Sequence, residues 1–286
     1  MIKNRPKPLV LLILDGWGVA ATSENNAIAF AHKPNFNKLV ASYPAMTLKV
    51  ASGQASSEAG HFIIGTGQPW LNQATKVHLP KIISQAKLSQ FYISETEKYA
   101  QINYYFKGCQ EGRISGGVME LIPSLHLSSP DEEPSLAANK IARILIKRII
   151  NDQFDFLVAN FANPHLVAKT GNKPATARAI ETIDKHLGKI VKNVLAKEGA
   201  VIITADHGRA EAVDNLGFGR DYCPINPVPF LVIHSQLEGR NIGQLDTLES
   251  DLSLIEPSGD LLDIAPTILK IMNLPQPKEM IGKSLI

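Results

Sequence analysis

Cysteine is scarce in this chain. Cys109 and Cys223 are the only two in 286 residues, too few for a disulfide-held scaffold, so a reducing compartment is expected. Excess charge is missing as well. Lys plus Arg is 29 and Asp plus Glu is 27, a formal net charge of +2. The strong basic excess of nucleic-acid-binding or membrane-surface proteins is therefore not there, and neither kind of partner is expected. No apolar run approaches the roughly 20 residues needed to span a bilayer. Leu9–Leu14 follows Lys3, Arg5 and Lys7 in the manner of a short secretory signal, but it stops at Asp15 with no small-residue cleavage site behind it. A cytoplasmic protein is the expectation. Internal repeats and low-complexity segments are also lacking.

What the chain does have is a composition of 44% hydrophobic and 20% charged residues, which excludes a disordered or fibrous protein. Its length suits one large α/β domain or two ordinary ones. Leu9–Leu14 is a continuous apolar run, the pattern of a strand buried on both faces of a parallel sheet. Similar runs occupy Phe154–Phe161, Ala200–Ala205 and Pro229–Ile233. Shorter strands are expected at Met46–Val50, Phe91–Ser94 and Ile102–Phe106. Helical stripes lie between them. Ile180, Ile183, Leu187, Ile190 and Val194 recur at steps of three and four, with Gly199 as the expected C-cap. Ala137, Ile141, Leu145 and Ile149 form a second stripe with Pro134 near its start, and Leu261–Ile271 a terminal helix stopped before Pro275. Such alternation predicts a mostly parallel sheet covered by helices on both faces. The loops around 128–134 and 215–229 are rich in Pro, Gly and Ser, yet too short to mark a domain boundary.

In such sheets functional groups gather at the carboxyl ends of the strands. Asp15 follows the first strand and could ligate a hard cation or cap the next turn. Ser57 stands where a helix begins, and the free N–H groups there favour a phosphate; the same position suits an ordinary N-cap. Asp206 and His207 end the strand at Ala200–Ala205 and can share one metal. His165 and Lys169 follow another strand as a candidate ligand and a candidate phosphate clamp, or as a solvated loop pair. Lys98 could hold a phosphoryl oxygen as a point charge or lie on a surface helix. Cys223 is either a soft ligand or a small hydrophobe.

Taken together, Leu12–Gly18, Asn26–Ala29, Pro34–Phe36, Ser57–Gly65, Glu95–Ala100, Asn160–Pro164, Ala205–Gly208, Asn226–Phe230, Asp263–Ile268 and Met280–Leu285 resemble, in order, segments of the cofactor-independent phosphoglycerate mutases. These are the 2,3-bisphosphoglycerate-independent enzymes of the alkaline phosphatase superfamily. The resemblance covers nearly the whole chain. It implies an α/β fold, a three-layer α/β/α sandwich with a mostly parallel sheet. Members have two domains, and the insertion point of the second falls here between about Gly67 and Ser89, an interval too short to hold it. Residues 1–286 are thus expected to be a single alkaline phosphatase-like metal-binding domain.

By the same resemblance Ser57 is the nucleophile that becomes phosphoserine. Asp15, Ser57, Asp206 and His207 hold one metal, and Lys98 contacts phosphate. The family's other ion is held by an Asp and two His, which fall on His165, Lys169 and Cys223. Arg209 replaces a family Asn. The donor set implies one divalent ion, manganese or zinc, with the second ion missing and Lys169 and Arg209 supplying part of its charge to a phosphate. The expected function is hydrolysis of a small phosphate ester through Ser57. The alternatives are a catalytically degenerate protein that binds a phosphate ester or a partner, and a true mutase, an isomerase.

Overall fold

The computed structural model describes residues 2, 4–50, 55–71, 73–214, 223–240 and 251–286. Among them are eight strands: β1 Leu9–Leu14, β2 Ala45–Lys49, β3 Gln90–Glu95, β4 Gly117–Ile122, β5 Phe156–Phe161, β6 Ala200–Thr204, β7 Val228–Ile233 and β8 Gly259–Asp260. They form one sheet in the order β4-β3-β5-β1-β6-β7-β2-β8. From β4 to β6 every pairing is parallel, and β7 runs antiparallel to β6 and β2. The apolar runs read from the sequence are its centre. Every residue of β1, β5, β6 and β7 is buried, because both sheet faces are covered.

The helices are α1 Ala27–Phe30, α2 Pro34–Ser42, α3 Ser57–Thr66, α4 Leu79–Gln85, α5 Tyr99–Asn103, α6 Ala138–Ile150, α7 Asn163–Ala168, α8 Lys173–Leu195 and α9 Ile264–Ile271. α8 packs against α1, α2, α6 and α7 in one layer, while α3 gathers α4, α5 and α9 in the other. The result is the expected α/β/α sandwich with a mostly parallel sheet. The stripe Ile180, Ile183, Leu187, Ile190 and Val194 is fully or almost fully buried, which holds α8 on the sheet.

Two local expectations fail. Ile102–Phe106 is not a strand; it is the end of α5 followed by a 3-10 turn at Tyr105–Lys107. Ile102 and Phe106 are four residues apart and both fully buried, a helical spacing that a short apolar window does not separate from alternation. Gly199 does not cap α8 directly. The helix ends at Leu195, and the Gly199 N–H closes the following turn by donating to the Val194 carbonyl at 3.0 Å. The edge strands β4 and β8 were not expected, and of the loop at 215–229 residues 215–222 lie outside the described set.

Candidate functional site

β3, β5, β1 and β6 are parallel neighbours, so their carboxyl ends share one edge of the sheet. Asp15 follows β1, and Asp206 and His207 follow β6. His165 lies in the first turn of α7 after β5, and Lys98 in a 3-10 turn after β3. Ser57 comes from α3. Its neighbour Ser56 is the N-cap, accepting from the Ala59 N–H at 3.1 Å, so Ser57 is the first helical residue and its hydroxyl is free for other work. Two glycines permit this convergence. Gly16 adopts φ +79°, and a Cβ there would stand 2.9 Å from His165 Cα. A Cβ on Gly60 would stand 2.3 Å from the Asp206 carbonyl oxygen. Helix α3 can approach the end of β6 only without that carbon.

Ser57 Oγ is the hub. It donates to Asp15 Oδ1 at 3.0 Å, accepts from Lys98 Nζ at 2.7 Å, and lies 3.1 Å from His207 Nε2. Lys98 also reaches both Asp15 oxygens, at 3.0 and 2.9 Å. His165 Nδ1 stands 3.1 Å from His207 Nε2 and 3.3 Å from Asp15 Oδ1. Cys223 Sγ is 3.9 Å from His207 Nε2. Asp15, Asp206 and His207 are fully buried. Above them Ser57, Lys98, His165, Lys169, Arg209 and Cys223 line a pocket of about 320 Å³. Every candidate residue read from the sequence therefore arrives at one place.

A supporting layer was not assigned roles in the sequence. His61, four residues after Ser57 and so on the same face of α3, donates Nδ1–H to the Ser57 carbonyl at 2.7 Å. Asn160 donates to His61 Nε2 at 2.9 Å and to Asp15 Oδ2 at 3.2 Å, which fixes the His61 tautomer. Buried Glu211 accepts from the Gly18 and Arg209 N–H groups and from Asn226, and burial pushes its carboxyl pKa up. The i, i+4 spacing of Ser57 and His61 and the place of Asn160 in a segment resembling the family are readable signals; Glu211 acts through the fold.

The electrostatics hold two neighbouring buried carboxylates in their charged form. Burial and neighbouring Asp206 push the Asp15 carboxyl upward, but Lys98, His165 and His207 more than offset them and its pKa is lowered. Burial also opposes ionisation of Asp206, and the adjacent His207 and His61 reverse that, holding it far below the usual carboxylate range. His207 would be kept neutral by burial. Asp206, then Cys223 and Asp15, instead raise it to about 10. His165 moves the other way, lowered by burial and then by Lys98. The His207 Nδ1–H donates to the Gly208 carbonyl at 2.9 Å, which turns Nε2 into the site. His61 Nδ1 passes Asp206 Oδ2 at 3.2 Å while donating to Ser57, and Oδ2 has no hydrogen bond of its own. A buried carboxylate oxygen without a donor, beside a second carboxylate and an imidazole aimed inward, fits a divalent ion. The donor atoms of Asp15, Asp206 and His207 lie within 4.8 Å of one another, as do those of His165, His207 and Cys223.

A family model for the Metalloenzyme superfamily matches residues 7–276. A 2,3-bisphosphoglycerate-independent phosphoglycerate mutase from Clostridium botulinum (strain Langeland) is 38% identical over 210 residues, 73% of this chain and 38% of that protein. One from Gloeobacter violaceus is 40% identical over 209 residues, again 73% and 38%. The chain thus spans well under half the length of these curated relatives. Among solved structures, phosphoglycerate mutase from Leishmania mexicana superposes with a TM-score of 0.83 at 12% identity, over 100% of this chain and 98% of that one. Alkaline phosphatase from the Antarctic bacterium TAB5 gives 0.63 at 14% identity, over 96% and 99%. At these identities the superpositions speak for a shared fold.

Proposed function

The chain belongs to the Metalloenzyme superfamily, and from that membership we propose a metal-dependent phosphoryl-transfer enzyme that hydrolyses small phosphomonoesters through Ser57. The observation that carries the reading is the position of Ser57 Oγ. It sits at the start of α3, between the Lys98 ammonium and Asp15 Oδ1, on the floor of a pocket walled by Lys98, Lys169 and Arg209. The helix N-terminus and these cations favour a phosphoryl group above the hydroxyl.

In the proposed reaction Ser57 Oγ attacks phosphorus in line. Its proton leaves toward Asp15 Oδ1, the group it already faces. The Lys98 ammonium stabilises the developing alkoxide, and Lys169 and Arg209 offset the charge on the equatorial oxygens. The new bond is Ser57 Oγ–P, the broken one joins phosphorus to the ester oxygen, and the departing alkoxide takes a proton from solvent to leave as the alcohol. Water then cleaves the phosphoserine and releases phosphate. Asp15, Asp206 and His207, with Ser57, would hold one divalent ion, manganese or zinc by their mixed oxygen and nitrogen donors. When bound, that ion supplies positive charge that acidifies the serine hydroxyl and polarises the phosphoryl group.

We take the second position, at His165, Lys169 and Cys223, to hold no ion. Lys169 shares the pocket wall with His165 and Cys223 and depresses protonation of His165, and a fixed ammonium there opposes a cation. We also take residues 1–286 as one domain. Among the described residues between Gly67 and Ser89 the short helix α4 is the one regular element, and we propose water as the phosphoryl acceptor. No described helix is long and apolar enough to cross a membrane, and we propose the cytoplasm as its compartment.

A second reading, a phosphate-ester-binding protein without turnover, is favoured by the changes at His165, Lys169 and Cys223, since losing one ion of a two-metal clamp removes much of its rate. Metal analysis together with turnover of 4-nitrophenyl phosphate separates the two. The hydrolase reading expects turnover that S57A lowers by at least a hundredfold. Stoichiometric metal and phosphate binding with no turnover in the wild type would establish the binding protein instead.

A further inference from the structure

Beside the Ser57 pocket lies a second cavity of about 270 Å³. Glu97, Leu166 and Lys169 contribute to the walls of both. Much of its remaining lining is aliphatic, with Leu125, Leu127 and Leu136 supplied by the segment between β4 and α6. Glu95 lines it too. This residue ends β3, is 1% exposed, and accepts from Ser124 Oγ at 2.9 Å through Oε2. Its other oxygen, Oε1, is buried with no hydrogen-bond partner among the described residues. Burial pushes the Glu95 carboxyl pKa up. Lys98 and Asp15 are among the charges it feels, which puts it within electrostatic reach of the phosphoryl site.

Building on the phosphoryl-transfer reading above, we infer that this cavity is the subsite for the alcohol part of the substrate. It selects a phosphomonoester whose alcohol is uncharged, largely apolar and bears a hydroxyl for Glu95, over one bearing a carboxylate. Three observations carry this. The cavity adjoins the pocket of the nucleophile through shared residues, where a departing alcohol must lie. Its leucines favour hydrocarbon over water. Its polar demand is an acceptor oxygen lacking a donor, which a ligand hydroxyl satisfies and a carboxylate cannot. Charge points the same way, because Glu95 and Glu97 outnumber Lys169 around it. Such a wall would turn the site away from short acid esters and toward aryl or alkyl phosphates with a distal hydroxyl.

The test is equilibrium binding by calorimetry at pH 8, in metal-loaded S57A so that nothing turns over. The probes are inorganic phosphate, phenyl phosphate, 4-hydroxyphenyl phosphate and 4-carboxyphenyl phosphate. Phenyl phosphate should bind at least tenfold tighter than phosphate, the hydroxyphenyl ester tighter again by at least threefold, and the carboxyphenyl ester at least tenfold weaker than phenyl phosphate. Adding E95Q should erase most of the carboxylate penalty without weakening phosphate binding, which also shows that the variant is folded. Adding L127W should remove the aryl advantage, again without changing phosphate affinity. If phosphate binds but all three esters bind no better than phosphate, or the carboxyphenyl ester binds best, the subsite is overturned and the phosphoryl site stands. If phosphate itself does not bind, the phosphoryl-site reading fails and takes the subsite with it.

Discussion

His78 caps α4 with its ring: Nδ1 accepts the Lys81 N–H at 3.2 Å, which requires an unprotonated nitrogen. Burial, then Lys81 and Lys107, lower its pKa to about 4. Above about pH 6.5 the ring is neutral in both folded and unfolded chains, and stability is unaffected. Between pH 6.5 and 4 the unfolded chain binds a proton that the folded one refuses, so stability falls as pH falls. The decrement is about 2 kcal/mol on going from pH 7 to pH 5. His78→Asn keeps a cap acceptor and removes the titration. Urea unfolding at both pH values should show the variant gaining that amount relative to wild type at pH 5; parallel pH dependence in the two proteins would remove His78 as the cause. At this scale the sequence was informative about kinds of residue and silent about their surroundings. By residue type alone Ser56 and Ser57 both suit a helix cap; the family resemblance singles out Ser57, and the Ser56–Ala59 hydrogen bond leaves the cap to Ser56. Lys98 read more readily as a surface helix lysine, yet it is 3% exposed, drawn inward by Asp15.

Elements were legible where burial is complete on both faces. β1, β5, β6 and β7 announce themselves as unbroken apolar runs, and α8 as a long stripe, because the sheet and its helices leave those residues no contact with water. Edge strands carry no such signal. β4 alternates poorly and is mostly half-buried or exposed, so its sequence resembles a loop. The seating of α3 on the end of β6 is a further feature that pattern alone could not reveal, since it depends on Gly60 passing the Asp206 carbonyl. Gly60→Ala places a methyl group against backbone that cannot rotate away. The expected loss is about 1–3 kcal/mol of stability, the range for overpacking a filled site. Displacement of Ser57 from Asp206 should also weaken metal binding. Thermal unfolding and metal titration of the variant check both effects; an unchanged melting temperature would mean that α3 and β6 are less tightly seated than these contacts indicate.

Across the whole molecule the candidate site joins parts that are otherwise held only through the core: the ends of β1, β3, β5 and β6, and the first turn of α3. Without a metal ion, buried Asp15 and Asp206 repel each other, and Lys98 and His207 hold the charge of both, with His61 also acting on Asp206. A divalent ion bound there belongs to the folded state alone, because the donors are separated by most of the chain when it unfolds. It should stabilise the protein by about 2.7 kcal/mol at a free concentration one hundred times its Kd, which for a chain of this length corresponds to a rise of roughly 5 °C in melting temperature. Chelation should reverse the rise. Asp206→Asn should abolish it, because the substitution removes a charge and offers an amide in place of the unpartnered oxygen. Cys223→Ser should keep it in full, because Cys223 belongs to the position proposed to hold no ion. Scanning calorimetry of the three proteins with manganese, with zinc and after chelation distinguishes the cases. A zinc-dependent rise lost in Cys223→Ser and retained in Asp206→Asn would move the ion to His165, His207 and Cys223 and overturn the assignment. No rise with either metal in the wild type would overturn metal binding altogether.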